Sequence, residues 1–549
     1  MSNVTYWQQL GLDIDGEAAG DESGSSVSIS SDGKVVAVGA FRNSSNRGHV
    51  RVFENTESGW VQRGGDIDGK EEGDYSGYKM SLSDDGLTVA IGSYLSGANG
   101  YRSGQVRVWR WNGSAWSQLG LDLNGASSND QSGTSVSLSQ NGHIVAIGAH
   151  LHDGSKGHVR VFEWDGSSWS QRGSDLDGES SDDRFGFSSS LSPDGNYLAV
   201  GGFLNDGNGE NSGHVRIFQW HNNNWVQIGS DIDGEAAGDG FGQSVSLSAD
   251  GQTVAIGGQG NDGNGTSSGH VRIYRLNGSD WVKLGGDIDG EASHDASGSS
   301  VSISHDGATV AIGAKFAKNS NGDRTGHVRV YQLDGNNWVK VGQDLDGEAA
   351  DDRFGGEHSD NSVSISADGS TVAVGAEFND GNGNKSGHVR VYKLPPADPT
   401  LSSAAYNASS GVLTVTGTNF VEESGSNNDI DVSKLSITGD GSSGLKVELY
   451  EGKNFNTLRA TNYESTININ DQYDSDNGGD GNTFSVRATG QIQAYAQGSN
   501  TWKVKSDDGV RIWIDDVQVV NRWNDHSTTW DTFTVSGLEQ DSWHDIRID

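Results

Sequence analysis

The sequence predicts an all-β protein, a seven-bladed β-propeller followed by a C-terminal β-sandwich of jelly-roll type. A segment of 53 to 57 residues occurs seven times, and each copy ends near a tryptophan: Trp7, Trp60, Trp116, Trp169, Trp225, Trp281 and Trp338. Within one copy, residues 231–285, four short runs of β-branched and aromatic residues alternate with Asp-Gly and Asn-Gly turns. Four strands per repeat at this spacing are typical of propeller blades, so seven copies predict seven blades.

The two ends of the repeat array predict a closed ring. The array begins with residues 7–11, which match the fourth strand of a copy whose first three strands are missing. The last copy stops after its third strand, residues 388–392. We therefore expect residues 7–11 to pair with residues 388–392, in one blade with residues 362–366. Such closure hides the strand edges that would otherwise invite aggregation.

The composition narrows the classes of partner. The chain has 549 residues, with 75 Asp and Glu against 37 Lys and Arg, and a net charge of −38. This charge argues against nucleic acid and anionic membranes as partners. Cysteine is absent, so no disulfide stabilises the fold. No apolar run reaches membrane-spanning length, and we expect no membrane insertion.

Strand direction predicts which loops share a face of the propeller. The loop between the second and third strands and the segment between blades fall on one face, here called face one. The tight turns of each blade fall on the opposite face, face two. Because the longer polar loops lie on face one, we expect any ligand of the propeller to bind there.

The segments between blades carry a repeated acidic pattern. Carboxylates stand at relative positions 1, 3, 5 and 9, and three copies show the pattern: Asp13, Asp15, Glu17 and Asp21; Asp231, Asp233, Glu235 and Asp239; Asp287, Asp289, Glu291 and Asp295. Calcium takes six to eight oxygen ligands and could bind such a segment. The alternative is an Asx-type turn in which the carboxylates accept backbone N–H groups. Asn124, Ala126 and Lys70 interrupt the pattern in two other copies.

Every third strand carries an arginine at the same place. These residues are Arg51, Arg107, Arg160, Arg216, Arg272, Arg329 and Arg390. A histidine stands two residues earlier in six copies, and Gln105 replaces it in the other. We expect the arginines to be structural, buried and paired with carboxylates of their own or the adjacent blade.

The repeat resembles the FG-GAP propellers of integrin heads and bacterial surface proteins over about residues 5–394. Phe-Gly pairs at 185–186 and 241–242 and the Val-Gly-Ala sequence at 38–40 carry the resemblance. The resemblance implies the propeller fold for residues 1–394. Members of the family often bind calcium between the first two strands, but here that turn is a bare Ser-Ala-Asp-Gly at 248–251.

The C-terminal third divides into two predicted parts. Residues 395–443 begin with a proline-containing linker and continue as a partial immunoglobulin-like segment. Residues 444–549 resemble the protective-antigen-type sandwich domain through the motifs at 444–458, 484–494 and 502–516. In sugar-binding members an Asp-Asp pair holds calcium, which coordinates sugar hydroxyls; the matching pair is Asp507 and Asp508. We expect this domain to be truncated after residue 549, and its calcium binding to be correspondingly weak.

These observations predict a binding protein rather than an enzyme. We expect an extracellular or cell-surface adhesin fragment that recognises a carbohydrate or glycoprotein with Ca²⁺ and forms part of a larger surface protein. Two alternatives remain: a glycan-active hydrolase with the sandwich as its accessory module, and a purely structural spacer. Near-identical copies favour binding, because a catalytic centre needs unlike residues that converge at one place.

Overall fold

The computed structural model describes residues 6–356 and 361–395 in full, and part of the chain beyond residue 396. There it describes the strands named below, with side chains only at 511–520 and 533–536. The chain divides into two compact units, Met1–Pro395 and Pro396–Asp549, which are treated separately. Asp507 and Asp508 lie outside the described residues.

The first unit is a propeller of seven antiparallel sheets, numbered blades 1 to 7 in chain order. The first strands are Ser26–Ile29, Ser76–Leu82, Ser135–Leu138, Ser188–Leu191, Ser244–Leu247, Ser297–Ile303 and Val363–Ile365. The second strands are Val35–Ala40, Thr88–Ser93, Ile144–Ala149, Tyr197–Gly202, Thr253–Gly258, Thr309–Ala314 and Thr371–Ala376. The third strands are His49–Thr56, Gln105–Trp111, His158–Trp164, His214–His221, His270–Asn277, His327–Asp334 and His388–Lys393. The fourth strands are Gly59–Gln62, Trp116–Gln118, Trp169–Gln171, Asn224–Gln227, Asp280–Lys283, Asn337–Lys340 and, for blade 7, Gln8–Gln9.

Each blade has a fifth short strand that the sequence analysis assigned to a loop. These dipeptides are Ile67–Asp68, Leu123–Asn124, Leu176–Asp177, Ile232–Asp233, Ile288–Asp289, Leu345–Asp346 and, for blade 7, Ile14–Asp15. They pair with the start of the third strand, as Ile288 does with Val271. The third strand is longer than the fourth, so the backbone N–H and C=O groups of its first residues have no partner in the fourth strand. The dipeptide forms hydrogen bonds with them instead.

The ring closes as the ends of the array predicted. Gln8 and Gln9 pair with Lys393 and Tyr392, and Leu10 N–H donates to the carbonyl of Val391 over 2.7 Å. A second closed circuit runs through the innermost strands, where a serine hydroxyl of each blade accepts a backbone N–H of the next. The pairs are Ser28 and Leu82, Ser81 and Leu138, Ser137 and Leu191, Ser190 and Leu247, Ser246 and Ile303, Ser302 and Ile365, Ser364 and Ile29.

The hydrophobic core lies between neighbouring blades. Between blades 5 and 6, for example, Val271 and Ile273 pack against Val301 and Ile312, all of them buried. Glycine allows the blades to approach at the inner strands. A Cβ on Gly148 would lie 2.0 Å from the carbonyl oxygen of Gly186 in the next blade, so no larger residue fits there. This contact explains why Phe-Gly and Gly-Ala recur together in the sequence.

The second unit is also built of strands. Its largest sheet has seven strands in the spatial order Thr457–Glu464, Leu445–Glu451, Leu435–Thr438, Arg487–Gln493, Trp543–Ile548, Val510–Ile514 and Val517–Arg522. Two-stranded sheets pair Thr400–Asn407 with Val412–Thr418 and Gly498–Ser506 with Thr529–Leu538. Phe533 of the last sheet packs against Ile512 and Ile514 of the largest one, as expected for layered sheets.

Helix is confined, among the described residues, to two single turns, Asn43–Asn46 and His152–Ser155. Each replaces the longer loop between second and third strands and contains residues with positive φ, such as Ser44 and Asp153. None of the helical segments in the described part of the chain could cross a membrane.

Candidate functional site

The acidic segments between blades are anchored by the same contact in every blade. A Gln or Lys of the fourth strand donates to the aspartate four residues later, over 2.6 to 2.8 Å. The pairs are Gln9 and Asp13, Gln62 and Asp66, Gln118 and Asp122, Gln171 and Asp175, Gln227 and Asp231, Lys283 and Asp287, Lys340 and Asp344. Position 1 of the acidic pattern is thus a structural residue in all seven copies.

The seven arginines lie in this same layer, and their partners fall into two groups. Arg272, Arg329 and Arg390 are buried and make two-pronged bonds to position 1, at 3.0 to 3.3 Å, on Asp287, Asp344 and Asp13. Each also contacts position 5 of the preceding segment: Glu235, Glu291 and Glu348. These three bear out the expected carboxylate pairing.

The other four arginines correct that expectation in part. Arg107, Arg160 and Arg216 donate instead to backbone carbonyls at position 3, those of Asp68, Asn124 and Asp177, over 2.7 to 3.0 Å. Arg51 bonds the carbonyl of Asp15 and lies 3.8 Å from Glu17. A guanidinium has five N–H donors, and the carbonyl of the extra short strand offers a fixed acceptor that the sequence pattern did not show.

The carboxylates of one segment therefore have separate partners. Asp239, at position 9, is buried and accepts the backbone N–H of Ala236 over 3.0 Å, and Asp21 and Asp295 make the same bond. In the same segment, Asp231 accepts a hydrogen bond from the side-chain amide of Gln227 over 2.6 Å and Glu235 contacts Arg272, while burial raises the pKa of Asp233. This is the turn-like alternative that the sequence analysis left open, and calcium binding by these segments stays a prediction.

The histidines of the third strands sit beside position 1. The Nδ1 atoms of His158, His214 and His388 lie 3.5 Å from Asp175, Asp231 and Asp13. Burial lowers the pKa of His158 to about 3 and that of His327 to about 4, with nearby cationic or imidazole groups adding to the effect. The rings of His158 and His327 are therefore neutral at physiological pH.

The axis of face one differs from this repeated layer, because the side chains that the copies place there are mostly unlike. The residue after the second strand is Phe41, Tyr94, His150, Phe203, Gln259, Lys315 or Glu377. The residue after the position-9 aspartate is Glu22, Tyr75, Gln131, Arg184, Gly240, Ala296 or Arg353, and all seven have positive φ. The same backbone thus presents unlike side chains around one axis.

One half of the axis is aromatic. Tyr78 lies 5.4 Å from Phe41 and 4.5 Å from Tyr94, measured between ring centroids. Phe187 and Phe203 are 4.5 Å apart in blade 4. Lys79, fully buried, lies within 6.0 Å of the Phe187 ring, and burial lowers its pKa well below the usual range while Glu377 of blade 7 opposes that shift. This half is filled by protein side chains.

The other half holds a cavity of about 560 Å³ on face one, between blades 5, 6 and 7. Lys315, Arg324, Arg353 and His294 line it, together with Gln259 and a few small residues. The guanidinium of Arg353 lies 4.2 Å from the ring centroid of Phe316, which holds it at the wall. Of the described residues that line the cavity, none is acidic.

Face one was predicted to bind any ligand of the propeller, and that stays a prediction; the cavity itself was not predicted from the sequence. A signal was present: the residue after each second strand is Phe, Tyr, His, Gln, Lys or Glu, while the second strand itself is nearly the same in every copy. Only the structure shows that these positions, 53 or more residues apart in sequence, surround one axis.

Comparison with known proteins supports both parts of the architecture. Residues 441–549 match the model of the PA14 domain, and residues 232–274 match that of the FG-GAP repeat. The anti-sigma-I factor RsgI3 of Acetivibrio thermocellus is 28% identical over 108 residues, which are 20% of this chain and 17% of that protein. The chain therefore spans about a sixth of the length of this curated relative.

Solved structures with a related backbone are distant. A 6-phosphogluconolactonase candidate from Bacteroides uniformis ATCC 8492 has a TM-score of 0.42 at 12% identity, over 70% of this chain and 95% of its own. Hydrazine synthase of Kuenenia stuttgartiensis has a TM-score of 0.42 at 12% identity, over 75% of this chain and 98% of its own. Neither similarity bears on activity.

Proposed function

From a chain that joins an FG-GAP-type propeller to a PA14 domain, we propose a carbohydrate-binding protein of the cell surface or extracellular space, with a role in adhesion. Both families are typical of binding proteins, and the observation that supports a ligand site most directly is the cavity of face one. It lies where seven otherwise similar copies present unlike residues. Divergence confined to one concave place is expected of a recognition site and not of a scaffold.

The charge of this cavity indicates the class of ligand. The chain has a net charge of −38, yet three cationic side chains and His294 surround the cavity. Lysine and arginine recognise carboxylate, sulfate and phosphate groups through charge-assisted hydrogen bonds. An anionic carbohydrate, such as one with uronic acid or sulfate groups, fits this lining.

The PA14 domain supplies the second part of the proposal. Its family resemblance gives Asp507 and Asp508 the role of holding Ca²⁺, through which sugar hydroxyls would bind. Two carbohydrate sites of different chemistry on one chain would raise avidity for a glycan-coated surface or a glycoprotein. This role requires no reaction, and we propose binding without catalysis.

A glycan array with neutral, carboxylated and sulfated members, read with and without Ca²⁺, tests the proposal. We expect anionic glycans to bind the cavity without Ca²⁺, and a second set to bind only with Ca²⁺. Lys315→Gln and Arg353→Ala should remove the first set, and Asp507→Ala with Asp508→Ala should remove the second.

The cavity substitutions carry their own control, because Gln259 and Ala296 occupy the same positions in other copies. The fold is therefore expected to tolerate them. Lys34→Gln, at a side chain that is 71% exposed, removes one positive charge elsewhere. Glycan binding that survives all these substitutions, or an array without any signal, would rule the proposal out.

A further inference from the structure

Two histidines and an aspartate converge in blade 3, at a place that the repeat does not require. Asp130, His152 and His158 each present a ligand atom, and the three atoms lie within 4.8 Å of one another. The Nδ1 atom of His152 is 3.1 Å from Oδ1 of Asp130, and the two imidazole rings stack with centroids 3.9 Å apart. A carboxylate oxygen of Asp175 lies 3.5 Å from Nδ1 of His158.

The cluster contains a buried imidazole without hydrogen-bond partners, as the third strands of blades 4 and 5 also do at His214 and His270. His158 is fully buried, and neither of its ring nitrogens has a hydrogen-bond partner. Buried polar atoms without partners are rare in folded proteins, because each has lost its hydration without compensation. Asp130 is 3% exposed and binds the N–H of Ser127 through Oδ2 over 2.6 Å, while Oδ1 faces His152. The His152 side chain is 24% exposed, which leaves a path from solvent.

The other copies show that His152 is not needed for the fold. Asn205, Asn261 and Asn379 occupy its position in blades 4, 5 and 7, and the amide of each donates to the corresponding buried aspartate over 3.2 to 3.3 Å. Asparagine thus satisfies the structural bond. With His152 in place of asparagine, this cluster contains two imidazoles. Each of the other histidine-containing clusters among the described residues contains one.

We propose that Asp130, His152 and His158 bind one divalent transition-metal ion of the zinc class, with the carboxylate of Asp175, 3.5 Å from His158, as a second negative charge beside the site. Two imidazoles and one or two carboxylates are the donor set of Zn²⁺, Co²⁺ and Fe²⁺ sites. Calcium and magnesium prefer oxygen alone. The two carboxylates balance the charge of a divalent ion. The ion would bind one of the two ring nitrogens of His158 and link the short loop of blade 3 to the preceding segment.

Co²⁺ is the probe for this site, because its visible absorption reports imidazole and carboxylate coordination. The full chain is titrated with Co²⁺, and Zn²⁺ is then added to displace it. We expect one equivalent of Co²⁺ to give visible bands that Zn²⁺ abolishes. His152→Asn and His158→Gln should weaken binding by more than about tenfold, since each removes a ligand.

Both substitutions are native to other copies, as Asn205 and Gln105 show, so folding is expected to persist and is checked by thermal unfolding. His270→Gln is the matched control, because it removes the single histidine of the cluster formed with Glu235 and Asp287. Its Co²⁺ spectrum should equal that of the unaltered chain. Absence of visible bands, bands that persist in His152→Asn, or bands lost only in His270→Gln would each overturn the proposal.

Discussion

The layer between blades and the axis of face one are built from the same seven copies. The contacts repeat from copy to copy in the layer between blades, but not at the axis. Every blade has the indole N–H of its tryptophan bonded to a carbonyl of the preceding segment, over 2.7 to 3.0 Å. At the axis, Phe41 in blade 1 corresponds to Lys315 in blade 6. In a closed ring every contact between neighbouring blades must have the same geometry. The side chains at the axis need only fit together in the space that the seven blades enclose. Repetition therefore marks the contacts that closure requires, and the divergent axis is where we propose that a ligand binds.

The largest effect is expected at the tryptophan that closes the ring. Trp7 is 3% exposed and donates to the carbonyl of Val341, as Trp225 does to that of Arg172. Trp7→Ala should lower the free energy of unfolding by about 3–5 kcal/mol, as for other buried aromatic residues, and Trp225→Ala by a similar amount. Denaturant unfolding measures both losses. Tyr6→Ala, at an exposed neighbour, is the control. If Trp7→Ala and Tyr6→Ala lower the free energy of unfolding equally, the N-terminal strand is not part of the ring.

A smaller loss is expected from an arginine left without its main partner. Asp344→Ala leaves Arg329 buried with Glu291 alone. Removing one member of a buried ion pair leaves the other charge buried without its partner. We expect the free energy of unfolding to fall by about 3 kcal/mol, at the lower end of the usual range because Glu291 remains. Asp334→Ala, at an exposed turn of the same blade, should change little. Similar unfolding curves for the two variants would contradict the structural role of this layer.

Acid should weaken the repeated layer, because its buried histidines resist protonation in the folded chain. Burial, with help from Arg329, lowers the pKa of His327 from 6.5 to about 4. The unfolded chain takes up this proton below pH 6.5 and the folded chain does not, so stability falls as the pH falls toward 4. Between pH 7 and pH 5 this amounts to about 2 kcal/mol.

His327→Gln should remove that part of the pH dependence. Gln105 holds the equivalent place in blade 2, where it donates to Asp122 over 3.1 Å. Unfolding curves of the variant at pH 7 and pH 5 should differ less than those of the unaltered chain by the same amount. Substituting the exposed His221 should leave the difference unchanged, and an unaltered slope in His327→Gln would exclude this histidine as its source.

The smallest effect on stability is expected at the axis. Gln259 lines the cavity, and its Oε1 atom is buried without a hydrogen-bond partner among the described residues. Gln259→Ala should change the free energy of unfolding by less than about 0.5 kcal/mol, since no satisfied bond is lost. Binding of anionic glycans should nevertheless change. A loss of stability as large as that of Asp344→Ala would erase the distinction between layer and axis.

The repeated part of the molecule could be predicted from sequence because its signals are local. Alternating residues gave the strands, Asp-Gly and Asn-Gly gave the turns, and the unpaired ends gave the closure. The partners of Arg107 and Arg160 could not be predicted, because backbone carbonyls leave no trace in side-chain composition. The cavity could not be predicted either, since it depends on which residues of distant copies meet at the axis. The proposed calcium-binding role of Asp507 and Asp508 rests on the family resemblance alone.

Closure by the first strand also determines how the propeller would carry mechanical load. The third strand of blade 7, His388–Lys393, continues directly into Pro395, so a pull on the chain beyond that point acts along this strand. Thr371–Ala376 holds it on one side, and Gln8–Gln9 with Ile14–Asp15 hold it on the other. Interstrand hydrogen bonds run across the strand, so the force strains them together in shear and does not open them one after another.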